Sequence, residues 1–250
     1  MTWAASGHKG KAMKDNQSYY DDFAAWYERE RHGGYHALID ELQTDIVKTH
    51  CVGKDVLELG CGTGMILKEV APIAQSAKGI DISPGMLEQA KARGLDVMVG
   101  SATELPYEDA SFDVVYSFKV LAHIEDIRQV MNEVARVLKP GGMAALEFYN
   151  PKSIRGLIKK LKSPTAVSEV TNDEEVYTRY DTLADVKSYL PDTLKVSQIH
   201  GVRVFTPAAF FHKLPVVKSI FKSLEWYARD SKFWSKFGGF MVVHVEKADA

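Results

Sequence analysis

The stretch VLELGCGTGMIL, residues 56–67, constrains the fold more than any other part of this 250-residue chain. A run of branched apolar residues ends in Gly60-Cys61-Gly62-Thr63-Gly64, and an apolar helical pattern follows. A strand that feeds a glycine-rich turn into a helix suits a nucleotide. Glycine lets the backbone approach a ligand closely or adopt positive φ, and a helix start offers N–H groups to negative charge. By itself such a loop is a weak signal, because helix–strand packing also selects glycine. Spacing narrows the choice. The dinucleotide fingerprint is G-x-G-x-x-G, whereas the glycines here are 60, 62 and 64 and position 65 is Met. No Walker lysine follows the loop, so it is not a triphosphate cradle.

Around this loop, short apolar runs alternate with helical segments. DVLELG, AKGIDI, LDVMVG, SFDVVYSF and MAALEFY read as strands. Residues 65–73, 84–93 and 124–138 read as helices, the last stopped by Lys139-Pro140-Gly141-Gly142. That alternation means βαβ units and a parallel sheet. Upstream, helical spacing runs over residues 16–50 and breaks at Gly33-Gly34. Downstream the rhythm changes. KSIRGLIKKLK (152–162) is an amphipathic basic helix, and a further helix ends near Leu190. TLKVSQIHGVRV and GGFMVVHVEK are strands on either side of an aromatic, basic segment, 205–237. The expected layout is a helical cap over 1–50, an α/β core over 51–150, and lid insertions with the final strands over 151–250.

Composition sets outer limits. The chain is 46% hydrophobic, enough for a sizeable core. A formal net charge of −2 gives no global attraction to nucleic acid. Two cysteines, Cys51 and Cys61, make neither a disulfide framework nor a metal-ligand array and suit a reducing compartment. The N-terminal residues hold no apolar signal core, and no apolar run reaches the roughly 18 residues of a spanning helix. The expectation is a cytoplasmic protein with no metal.

GCGTG behind VLEL resembles motif I of the class I S-adenosylmethionine-dependent methyltransferases. GIDISPGMLEQAKAR, ATELPYEDASFDVVYS and EVARVLKPGG resemble that family's following elements in order and spacing, and the likeness spans about 55–148. YYDDFAAWYE resembles the cap helix of its small-molecule members. The resemblance implies a Rossmann-like, doubly wound, mostly parallel seven-stranded sheet with an antiparallel last strand and a helical cap or lid. It implies S-adenosylmethionine as cofactor. Gly60, Cys61, Gly62 and Gly64 would line its methionine part, with Glu58 beneath the loop near the amino group. Asp81, twenty-one residues after Gly60, would take the ribose hydroxyls. Ile82 and Met86 would lie beside the adenine, with Ser101, Ala102 and Thr103 at its other edge. The family often has Asp where Ser101 stands, so this contact loses charge assistance. Phe118, Lys119 and His123 would face the junction of cofactor and substrate, and Tyr20 would cover the sulfonium or carboxylate. Simpler roles stand beside these: Cys61 as a small residue that the loop tolerates, Met86 as core, Tyr20 as helix packing.

Methyl transfer needs a base only when the nucleophile starts protonated. His123, in VLAHIED, is the candidate base; the alternative is that it caps the next helix. The fourth strand ends in SFKV rather than N/D-P-P-Y/F, and no nucleic-acid module is visible. A small-molecule acceptor with an O, N or C nucleophile is therefore expected, and no nucleic acid. The basic, aromatic segments 152–162 and 205–237 raise a lipophilic quinone- or lipid-type acceptor collected at a membrane surface; the alternative is that their apolar residues pack on the sheet. A non-catalytic S-adenosylmethionine-binding module and an aminopropyltransferase are the remaining readings.

Overall fold

The computed structural model describes residues 34–153, 177–206 and 215–249. The expected first cap helix with Tyr20, and nearly all of the expected 152–162 helix, fall outside the described residues. Helix α1 (Gly34–Lys48) buries Leu38, Leu42 and Ile46 on one stripe, with Ile39 and Val47 beside them. Strands β1 (Asp55–Leu59), β2 (Ser76–Asp81), β3 (Asp96–Val99) and β4 (Phe112–Ser117) follow, with helices α2 (Leu67–Val70) and α3 (Pro84–Ala92) between them. Next come α4 (Ile127–Val137), β5 (Leu138–Tyr149), α5 (Leu183–Tyr189), β6 (Leu194–Val202), α6 (Pro215–Arg229) and β7 (Phe240–Lys247).

The seven strands form one sheet in the order β3-β2-β1-β4-β5-β7-β6. Six run in one direction, and β7 alone is reversed, antiparallel to β5 and β6 on either side of it. Alternate residues of the central strands serve two cores. Leu57, Val115, Leu146 and Phe148 pack with Val130, Met131 and Val134 of α4. Val56, Tyr116, Ala145 and Val242 pack with Leu38, Leu42 and Ile46 of α1. Such packing carries the fold, because truncating one leucine in a close-packed core costs about 2–5 kcal/mol.

Three boundaries differ from the sequence expectation. The helix expected at 65–73 is the single turn Leu67–Val70. Beyond it the chain knits to the start of β1: Gly53 N–H donates to the Ile73 carbonyl, and Gln75 N–H to that of Lys54. The helix expected at 124–138 starts at Ile127, where the Asp126 carboxylate caps it by accepting from Gln129 N–H. Leu121–His123 is a separate 3-10 turn. Lys139–Gly142 does not end the ladder but bulges within β5, so pairing jumps from Phe112↔Leu138 to Val114↔Met143. Lys139 Nζ fixes the bulge by donating to Asp55 and Asp113 at 2.7 and 2.9 Å.

A stack of imidazoles ties the outer strands to α1. The ring of His244 on β7 lies 4.6 Å from His200 on β6 and 5.4 Å from His50 after α1. His200 Nδ1 pairs with Asp230 Oδ1 at 2.6 Å. Burial, followed by the neighbouring His200 and His50, pushes His244 down to about 3, with Asp230 opposing weakly. Between pH 6.5 and 3 the unfolded chain therefore binds a proton that the folded one refuses. This contribution to stability is complete above pH 6.5 and is lost on acidification. His244→Asn should flatten the acid side of the profile by up to about 1.4 kcal/mol per pH unit. Urea midpoints of both proteins between pH 7 and 5 check this; parallel profiles would refute it.

Candidate functional site

The strand order reverses between β1 and β4, and the loop after β1 stands at that switch point, where ligands bind in open α/β sheets. The loop folds back onto β2. Gly60 N–H and Cys61 N–H both donate to the Ile80 carbonyl, at 2.7 and 3.1 Å, and Gly62 N–H donates to Asp81 Oδ2 at 2.8 Å. Gly60, Gly62 and Gly64 all take positive φ here. A Cβ on Gly60 (φ +69) would lie 2.2 Å from the Val120 side chain, so no other residue fits. At Gly62 (φ +53) a Cβ would meet nothing within 4 Å, so the space beside its backbone is open and φ alone favours glycine. Gly64 serves packing: its Cβ would strike Leu95 at 2.3 Å. Cys61 is buried, and burial pushes its thiol far above the ordinary range, as suits a space-filling residue.

Asp81 ends β2 half-buried. Its two oxygens accept from Gly62 N–H and Ser83 N–H, which fixes the carboxylate at the strand end. Ser83 also caps α3, accepting from Met86 N–H at 3.1 Å. Ile82 is half-buried next to it, and Met86 is buried. Across the strand ends, Ser101–Glu104 is a tight turn. Ser101 Oγ lies 2.7 Å from Thr103 Oγ1 and accepts from Thr103 N–H at 3.2 Å, while Ala102 is buried in the α4-side core. The Ser101 hydroxyl is thus turned into its own loop.

Glu58 is buried beneath the glycine loop. A carboxylate inside an apolar run suggests a donor-rich ligand, but the chain supplies partners of its own. The Tyr116 hydroxyl donates at 3.1 Å, and Leu67 N–H at the start of α2 is a further donor. Burial, assisted by Asp81, pushes Glu58 up to about 8. Folding thus favours its protonated form; that contribution is complete below about pH 4.5 and lost as pH rises through 8. Glu58→Gln, which mimics the protonated group, should gain stability relative to the wild type between pH 6 and 9. Melting curves at both ends test it; an unchanged difference would refute it.

At the end of β4, Phe118 packs inward against Tyr116, with ring centroids 5.7 Å apart, so its side chain serves the α1-side core. Lys119 takes φ +64, an uncommon value for a residue with a side chain. Its N–H donates to Glu147 Oε1 at 3.0 Å and its Nζ to Asp40 Oδ1 at 2.7 Å; Gln43 Nε2 donates to the other Glu147 oxygen. Glu147, Gln43 and Asp40 were missed from sequence. The signal was present for Glu147, a carboxylate within the apolar strand MAALEFY, the same pattern that marked Glu58. His123 ends the 3-10 turn, and its ring lies edge-on to Tyr149 at 5.7 Å. Its Nδ1 is 2.8 Å from the Tyr177 carbonyl. A carbonyl only accepts, so Nδ1 carries the proton and Nε2 is the basic nitrogen.

Residues 57–146 match the family described as "Methyltransferase domain". This segment is a class I S-adenosylmethionine-dependent methyltransferase domain. One relative is a Mycolicibacterium smegmatis protein described as "Probable S-adenosylmethionine-dependent methyltransferase", 41% identical over 102 residues, or 40% of each chain. Another is the demethylmenaquinone methyltransferase of Corynebacterium glutamicum, 35% identical over 131 residues, which are 50% of this chain and 57% of that one. The chain thus spans about half the length of the curated relatives it matches. Among solved structures, a Thermotoga maritima S-adenosylmethionine-dependent methyltransferase, a possible histamine N-methyltransferase, superposes with a TM-score of 0.68 at 21% identity. It covers 92% of this chain and 99% of its own, a likeness of fold.

Proposed function

We propose that the protein transfers a methyl group from S-adenosylmethionine to an O, N or C nucleophile of a small molecule. The observation that carries this reading is Asp81, held by Gly62 and Ser83 beside the open backbone of Gly62, in a segment that matches a methyltransferase domain. The residues suit the cofactor. Asp81 is a carboxylate fixed at a strand end, the kind of group that accepts ribose hydroxyls, the bare backbone at Gly62 admits close approach, and Ile82 offers an apolar neighbour to an adenine ring. S-adenosylmethionine supplies a methyl group already activated for displacement. The chain therefore has to position the acceptor, exclude water and, for a protonated nucleophile, accept a proton. His123 Nε2 is the group assigned to that last task, with Nδ1–H anchored on the Tyr177 carbonyl.

A lipophilic acceptor of the quinone or lipid kind is the finer reading. It is favoured by the aromatic wall beside His123, where Tyr149 meets Tyr180 at 5.9 Å and Phe240 at 5.3 Å, and by the demethylmenaquinone relative.

The test is calorimetry with S-adenosylhomocysteine, S-adenosylmethionine and NAD, followed by an acceptor screen over phenols, amines and quinone precursors. Binding of the two adenosyl ligands and not NAD is expected. Asp81→Ala should weaken it by about 10- to 100-fold, the worth of one or two charge-assisted hydrogen bonds. His123→Gln should leave that affinity intact and slow turnover about 100-fold or more. No binding of either adenosyl ligand would end the reading, and binding without turnover on any acceptor would favour a non-catalytic module.

A further inference from the structure

Helix α6 turns an apolar stripe outward. Val216, Ile220, Leu224 and Tyr227 follow one another at helical spacing, within an arc of about 80°. All four are exposed, Val216 at 73% and Tyr227 at 69%, while Glu225 and Ala228 on the same helix are buried. After α6 the chain adds Phe233 and Phe237, exposed at 60% and 40% and in ring contact with each other. The alternative in which these residues pack on the sheet therefore does not hold for these six. Apolar side chains exposed together along one side of a helix, and again on the turn that follows it, mark an interaction surface.

Charge identifies the partner. Lys232 and Lys236, which flank Phe233 and Phe237 in the chain, are exposed, and neither pairs with a carboxylate among the described residues. The segment's two acids do not offset them. Glu225 is buried and accepts the N–H groups of Val204, Phe205 and Thr206 at 2.8, 3.0 and 2.8 Å. Asp230 is taken by Arg229 and His200. What remains outside is apolar, aromatic and cationic, the composition that suits the headgroup region of an anionic bilayer.

Position adds a reason. The 3-10 turn Trp234–Phe237 is fastened to the end of β5, because Asn150 Nδ2 donates to the Lys236 and Gly238 carbonyls at 2.8 and 3.1 Å. The adjoining Tyr149 stacks on Phe240 and meets His123. The exposed face thus borders the sheet edge that holds the candidate site.

We propose that the face formed by α6 and residues 233–237 docks on an anionic phospholipid surface. It would bring the acceptor side of the site to the bilayer; this consequence rests on the methyltransferase reading, while the docking itself does not. The full chain is sedimented with phosphatidylcholine vesicles, with and without phosphatidylglycerol, at low and high salt. Binding only to the anionic vesicles, lost at high salt, is expected. The pair Ile220→Ser and Tyr227→Ser, and separately the pair Lys232→Glu and Lys236→Glu, should each lower the bound fraction at least about tenfold. All four positions are exposed, and unchanged melting and S-adenosylhomocysteine binding show that fold and cofactor site persist. Absence of vesicle binding, or equal binding by wild type and both variants, overturns the proposal. So does sedimentation equilibrium that shows a dimer broken by the Ile220 and Tyr227 changes, which would make the stripe a contact between copies. Vesicle binding without S-adenosylhomocysteine binding would leave the docking and remove the methyltransferase reading.

Discussion

Near the end of β2, the carbonyl of Ile80 accepts two N–H groups from the loop after β1, those of Gly60 and Cys61. These bonds continue the parallel pairing of Leu59 with Ile80 one step past the end of β1. They fold the loop sideways over β2 instead of letting it run on, and this places Gly62 N–H on the Asp81 carboxylate. The position of the loop and that of the carboxylate thus come from one register. A slip of one residue between β1 and β2 would turn Asp81 to the other face of the sheet and leave the loop without its acceptor. The demand reaches β4 as well, because Val120 closes on the bare Cα of Gly60.

Beneath that edge the α1-side face holds more buried carboxyl groups than an apolar core usually accepts. Glu58, Glu147 and Asp40 are all buried, and each has hydrogen-bonding partners. Glu147 links three elements: it takes the backbone N–H of Lys119, holding an unfavourable φ, and the amide of Gln43 on α1. Strain after β4 is offset by a charge-assisted hydrogen bond from β5. Any shift of α1 would disturb Gln43 and Asp40 together, and with them the chain just before His123.

How much of this could be read from sequence depended on the range of the interactions involved. The strands, their parallel order and the loop were legible because period-2 runs and glycine spacing are local signals. So was the placement of Asp81 at a strand end. Helix limits were less legible: the turn at Leu67–Val70 is short because the following residues bond to Gly53 and Lys54, partners set by the tertiary fold. Glu58 was visible as a costly residue, but not that Tyr116, 58 positions away, would satisfy it. The Glu147–Gln43 bond spans 104 positions and left only the carboxylate in MAALEFY as a trace. Exposure along α6 was illegible for the same reason. A stripe at helical spacing looks alike whether it meets a sheet or water.

The interior place of β7 has its own consequence. It is the last of the seven strands to be synthesised, yet it lies between β5 and β6. Until it emerges, β6 has no strand to pair with and β5 presents an open edge, so that half of the sheet stays incomplete while the glycine loop, β1, β2 and β4 can already be assembled. The half of the sheet that carries the glycine loop is available to fold early, and the half beyond β4 closes late, by insertion of a strand into a waiting gap.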